Sequence, residues 1–203
     1  KARLGEDSHI ELVGSCATLI WEEFKKEQMD NKISSESANL LYTAILSNTL
    51  NLKSQNTTKR DIEALRQLRK HTRLPKNWNM KYFAEVSSGI FAAPLIAMKN
   101  DTKFIDIGNK SFAIVQIELW NSREFITKNL EIIKDYLRSF GQEHVFFTSP
   151  SISEGINYII SYKEGTKQFL TKVISADFEG DLGKTHSLWL RKEIVRDIRN
   201  TIK

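Results

Sequence analysis

The chain has 203 residues, 40% hydrophobic and 27% charged, with a net charge of +5 and one cysteine. That length suits one large domain or two small ones, and no run of about 18 apolar residues offers a membrane span. The lone Cys16 excludes an internal disulfide and fits a reducing compartment, the cytoplasm first and the nucleus second.

No secretory cleavage pattern is visible at the start. The positive charge favours anionic partners; phosphorylated small molecules, polyphosphate and nucleic acid all qualify.

Residues 1–8 read as an extended lead-in, and 9–13 alternate loosely enough for a short strand ending at Gly14-Ser15. A helix over 17–28 is predicted with Leu19, Ile20 and Phe24 inward, and Ser15 as its N-cap. After the polar connector 30–35, Ser34 or Ser35 caps a second helix carrying Leu40, Leu41, Ile45 and Leu46. A third starts at Thr57-Thr58, with Ile62, Leu65 and Leu68 inward and Arg60, Glu63, Arg66, Arg69 and Lys70 on a solvated face.

Residues 71–80 contain Pro75 and form the best candidate boundary. Residues 80–98 are helical in pattern, with Pro94 opening a new turn. Beyond 99 the pattern mixes strands and helices. A central strand is predicted over 111–119, and an amphipathic helix over 124–140 with Gly141 as its C-cap. A strand over 144–149 and a short helix over 166–174 follow, with 152–160 readable as either. Gly180 and Gly183 mark a loop before a last segment, 188–202.

The chemistry-bearing residues are few. P-loop, GxGxxG, HExxH, paired CxxC and GxSxG motifs are all missing. His9, His71, His144 and His186 are scattered, without partners at ligand spacing. Cys16 is expected to be a buried thiol. Trp21, Trp78, Trp120 and Trp189 are too dispersed for a base-stacking platform. Lys103, Arg191 and Lys192 are, taken singly, three of 30 basic residues on a solvated surface.

Three stretches together point further. Residues 40–61, LLYTAILSNTLNLKSQNTTKRD, run from an apolar helix into Ser47-Asn48-Thr49 and on to Thr57-Thr58 and Asp61. They resemble the fourth motif of the DHH phosphohydrolases, the superfamily of family II inorganic pyrophosphatases, exopolyphosphatases and Prune proteins. Asn100-Asp101-Thr102-Lys103-Phe104 resembles the Asp-x-Lys entry to the accessory DHHA2 domain. Leu190-Arg191-Lys192-Glu193-Ile194-Val195 resembles the family's (Ser/Thr)-Arg-Lys-Gln-Val-Val.

The resemblance implies an α/β chain: the helical C-terminal part of a DHH domain (1–73), a connector (74–98) and a DHHA2-like mixed domain with a small sheet (99–203). It implies phosphate-binding roles for Lys103, Arg191 and Lys192, a guanidinium fork and two compact charges. In the family, Mn or Mg is held partly by an aspartate at the place of Asn48, which has lost the charge that attracts the ion. The family's other ligands, including the Asp-His-His itself, match nothing here, and Leu190, Glu193 and Arg196 also depart from the pattern.

Two readings follow from the resemblance. One is an exopolyphosphatase- or Prune-like phosphoanhydride hydrolase whose metals are held by an N-terminal segment outside this chain. The other is a pseudoenzyme, a scaffold that meets a protein partner. In both, the chain alone is expected to bind no metal and to be inactive. Nucleic-acid binding through Arg191, Lys192, Arg196, Arg199 and Lys203 ranks below them.

Overall fold

The computed structural model describes residue 5 and residues 10–202, and the chain splits into two compact units, Lys1–Asn79 and Met80–Lys203. The expected lead-in and His9 fall almost wholly outside the described residues.

The first unit is helical. Helices α1 (Cys16–Lys26), α2 (Ser35–Asn48) and α3 (Lys59–Leu68) are each opened by a hydroxyl residue whose oxygen accepts a backbone N–H: Ser15, Ser34 and Thr58. Trp21, Ala38, Ile45, Leu46, Leu65 and Leu68 form the core. Trp21 donates its indole N–H to Gln67 Oε1 at 2.8 Å, which makes it, and not Ile20, the inward anchor of α1.

Several expectations fail here. Residues 10–13 form no strand, because no described strand of this unit lies beside them to complete a ladder, and Leu12 is 95% exposed. Ile20 and Ile62 sit at the edge of the apolar stripe and are each 49% exposed. Cys16 is the first residue of α1 and its thiol is exposed. Arg60 is not simply solvated: its guanidinium is held by Glu22 and Glu11.

Helix α4 (Trp78–Ala92), all but its first two residues in the second unit, and α5 (Pro94–Asn100) meet at Pro94, which takes the first helical position where its missing N–H costs nothing. A six-stranded sheet follows in the order β1-β2-β3-β4-β6-β5, with β1 (Thr102–Ile107), β2 (Lys110–Gln116), β3 (His144–Ser151), β4 (Ile156–Ile160), β5 (Asp177–Glu179) and β6 (Leu182–Lys184). Among the described strands only β2 and β3 pair in parallel, and α6 (Ser122–Arg138) makes the crossover. Helices α7 (Glu164–Ile174) and α8 (Arg191–Ile202) complete the unit.

The sheet separates two cores. Ala113 and Val115 pack with Phe125, Ile133 and Leu137 of α6, whereas Phe112 and Ile114 pack with Leu170 of α7 and Ile194 and Ile198 of α8. Burial on both faces explains why β2 reads as a nearly unbroken apolar run. The predicted C-cap Gly141 is displaced: α6 stops earlier, on Ser139. Gly180 and Gly183 mark a hairpin rather than a loop. Gly180 takes the turn at φ +62°, and a Cβ on Gly183 would stand 2.7 Å from the Phe178 ring.

Candidate functional site

The basic residues singled out by sequence all lie in the second unit. Lys103 pairs with Ile114 across β1 and β2, so the two side chains share a sheet face. Ile114, Ile105 and Ile107 belong to the core under α7 and α8, which places Lys103 on the α8 side. Helix α8 runs along β1 on that face. Its last turn brings Ile202 against Gly108, where an added Cβ would meet Ile202 Cγ2 at 2.9 Å. Its first turn stands beside Asp101: Arg191 Nη2 lies 2.6 Å from Asp101 Oδ1, and Nη1 donates to the Asp101 carbonyl at 2.8 Å. Arg191 is thus fixed on Asp101, which precedes Lys103 by two positions in the chain, and Lys192 next to Arg191 is exposed.

The chain entering α8 is pinned from behind. The Asn157 amide donates to the Trp189 carbonyl at 2.8 Å and to Thr148 Oγ1 at 2.9 Å, while its oxygen accepts Trp189 N–H at 2.9 Å. Glu193, a departure from the family's glutamine, accepts the Leu190 N–H at 2.7 Å, the reciprocal half of a capping box. Both devices orient the first turn of α8, and with it Arg191 and Lys192.

Acidic and amide groups complete the cluster. Gln116, at the end of β2, donates its main-chain N–H to the Asp101 carbonyl and its side-chain amide to Glu118 Oε1 at 2.9 Å. Burial pushes the Glu118 carboxyl above its ordinary pKa and Asp101 adds to this; the Gln116 bond, Arg191 and Lys192 pull it back only in part. Asp101 and Glu118 line a hollow of about 330 Å³ walled by Val86, Ile90, Ala97 and Ile117. Larger hollows of about 660 and 520 Å³ lie by the β5–β6 hairpin, away from this cluster. Sequence reasoning missed Gln116, Glu118 and Asn157; the available signal was a polar residue placed within or just after an apolar strand.

The first unit holds the other stretch. Asp61 is fully buried and accepts from Gly14 N, Ser15 N, Thr18 Oγ1, Thr58 N and Thr58 Oγ1. Thr49 Oγ1 donates to the Ile45 carbonyl and accepts Leu52 N–H. The chain between them takes left-handed φ at Leu50, Asn51 and Leu52, of +48°, +58° and +63°. Such conformations cost roughly 1–2 kcal/mol per residue.

Asn48 ends α2, exposed, with its amide nitrogen donating to the Ala44 carbonyl at 2.8 Å. That leaves an uncharged oxygen for a cation, and among the described residues no group of three or more His, Cys, Asp or Glu is placed to hold a metal. This donor set does not fit a manganese ion. Of the other histidines, His144 is buried between the Phe112 and Phe169 rings, His71 stands by Trp21, and His186 pairs with Asp177.

No protein-family model matches the chain. A manganese-dependent inorganic pyrophosphatase of Methanocaldococcus jannaschii is 26% identical over 195 residues, covering 90% of this chain and 62% of its own length. A protein of Lactobacillus delbrueckii, curated as a probable manganese-dependent inorganic pyrophosphatase, is 36% identical over 104 residues, 51% of this chain and 31% of its own. The chain therefore spans only part of the curated relatives that it matches. A crystal structure assigned to the family II inorganic pyrophosphatases, from Methanococcus jannaschii, superposes with a TM-score of 0.75 at 23% identity, over 97% of this chain and 69% of that one. In sequence the chain is similar to part of a manganese-dependent inorganic pyrophosphatase, and in fold to part of a family II inorganic pyrophosphatase.

Proposed function

We propose that this chain binds a phosphate-chain anion of the pyrophosphate or polyphosphate type through Lys103, Arg191 and Lys192, and does not cleave it alone. The observation that carries the reading is the Arg191–Asp101 pair, which fixes a guanidinium at the first turn of α8 on the sheet face that also bears Lys103. The N–H groups of Arg191 that Asp101 leaves over and two ammonium groups match the charge of a phosphate chain. Ancestry in an exopolyphosphatase- or Prune-like hydrolase accounts for the three motifs.

Cleavage by a two-metal route needs carboxylates and imidazoles bridging both ions, and Asn48 with its committed amide cannot supply that. The test is phosphate release from pyrophosphate and polyphosphate with Mn²⁺, comparing this chain with Asn48→Asp. Both are expected to release none. Release by Asn48→Asp alone would trace the defect to that ligand, and release by the unmodified chain would overturn the inactive reading. A second reading, a non-catalytic module that meets a protein partner and keeps at most a vestigial anion cleft, is favoured by the same Asn48.

A further inference from the structure

We propose that Glu118 makes this anion site selective for an anion that carries its own proton, hydrogen phosphate over sulfate; the inference rests on the phosphate reading above. The cluster mixes charges in an unusual way for an anion site. Arg191 and Lys192 supply positive charge, but Glu118 stands within their field, and Asp101 is bonded to Arg191. Lining an open hollow, Glu118 is accessible to a small ligand from one side.

An ionised carboxylate is an acceptor only. Facing a fully ionised anion it repels; facing an anion with an O–H it accepts a hydrogen bond. A protonated Glu118 instead donates to the anion. In either arrangement one proton lies between Glu118 and the ligand.

Phosphate brings that proton throughout the neutral range. Sulfate does not, so its binding requires Glu118 to take a proton from solvent. The groups facing Glu118 favour such sharing without completing it. Gln116 of β2 donates one bond, Asp101 raises the affinity for a proton, Arg191 and Lys192 of α8 lower it, and Val86, Ile90 and Ala97 of α4 and α5 are apolar.

A second acceptor is unanswered. Gln116 is 4% exposed and its Oε1 has no hydrogen-bond partner among the described residues. A buried acceptor left so is costly. That oxygen belongs to the amide whose N–H₂ Glu118 accepts and is closed to a ligand in this structure, so the O–H that an anion brings goes to Glu118. Sites built around such a hydrogen bond reject the analogue that lacks it.

The experiment is calorimetric titration of the whole chain with sodium phosphate and with sodium sulfate, at equal ionic strength and about pH 8, where carboxyls are ionised. The unmodified chain is expected to prefer phosphate by about tenfold, the equivalent of one hydrogen bond. Glu118→Gln should bring the two anions within about twofold of each other, whereas Lys192→Ala should weaken both. A pH series on the unmodified chain needs no variant: the preference should shrink as pH falls and Glu118 takes its own proton.

Equal binding of the two anions at pH ~8, or a preference that survives in Glu118→Gln, overturns the selectivity. If Lys192→Ala still weakens both anions, the phosphate site stands without it. Binding of neither anion removes the site and the selectivity together.

Discussion

Asp61 and Thr18 lie 43 positions apart in the chain and 2.6 Å apart in the fold. Through that bond, and those from Gly14, Ser15 and Thr58, one buried carboxylate ties the start of α1 to the start of α3. Negative charge is favoured at helix N-termini, and here two of them converge on it. Gly14 has no room for a side chain, since a Cβ would meet Thr49 Cγ2 at 2.7 Å and Asp61 Oδ2 at 3.0 Å.

Asp61→Asn should therefore lower the stability of the first unit by about 3 kcal/mol, because an amide N–H₂ would face donors in place of an acceptor. Burial alone would push the Asp61 carboxyl up, but the bonds from Thr18, Thr58 and Gly14 outweigh it and hold it below the ordinary carboxylate range. A depressed folded-state pKa gives stability that is full above the unfolded value, about 4, and is lost as pH falls through the folded one. Urea midpoints measured down the acid range should fall for the unmodified chain and flatten for Asp61→Asn. Parallel curves would remove Asp61 as the source.

Asn48→Asp should cost about 1 kcal/mol, since it removes the bond to the Ala44 carbonyl and places a negative charge at the C-terminus of α2. The readout is the urea midpoint without metal. An unchanged midpoint would show that the amide bond contributes nothing.

Asn157→Ala should loosen the entry to α8 by freeing both main-chain groups of Trp189, at a cost of about 2–3 kcal/mol. Hydrogen exchange at Trp189 and the first turn of α8 should accelerate more than at β2. Uniform acceleration would mean that Asn157 supports the sheet as a whole rather than this turn.

Much of this fold is legible in residue patterns, and the failures have physical causes. β2 and α6 announce themselves because each buries apolar side chains at its own period. β1 does not, since an edge strand with Lys103, Phe104 and Asp106 half in solvent has no clean alternation. Gly141 misleads because a helix end is decided by its last hydrogen bonds, here closing on Ser139, and not by the nearest glycine.

Within the site, Lys103, Arg191 and Lys192 were visible as motif residues, but their setting was not. The pairing of Arg191 with Asp101 joins positions 90 apart, and the burial that raises Glu118 depends on α4 and α5 folding over it. Such relations exist only once the chain has folded.

The most direct test of the anion site is calorimetric binding of pyrophosphate to the intact chain and to a Lys103→Ala, Arg191→Ala, Lys192→Ala triple variant, at low and moderate salt. Measurable binding is expected that weakens with salt and falls by at least about a hundredfold in the triple variant, since several charge-assisted hydrogen bonds are removed together. Absence of binding by the unmodified chain, or equal affinity in the triple variant, would contradict it.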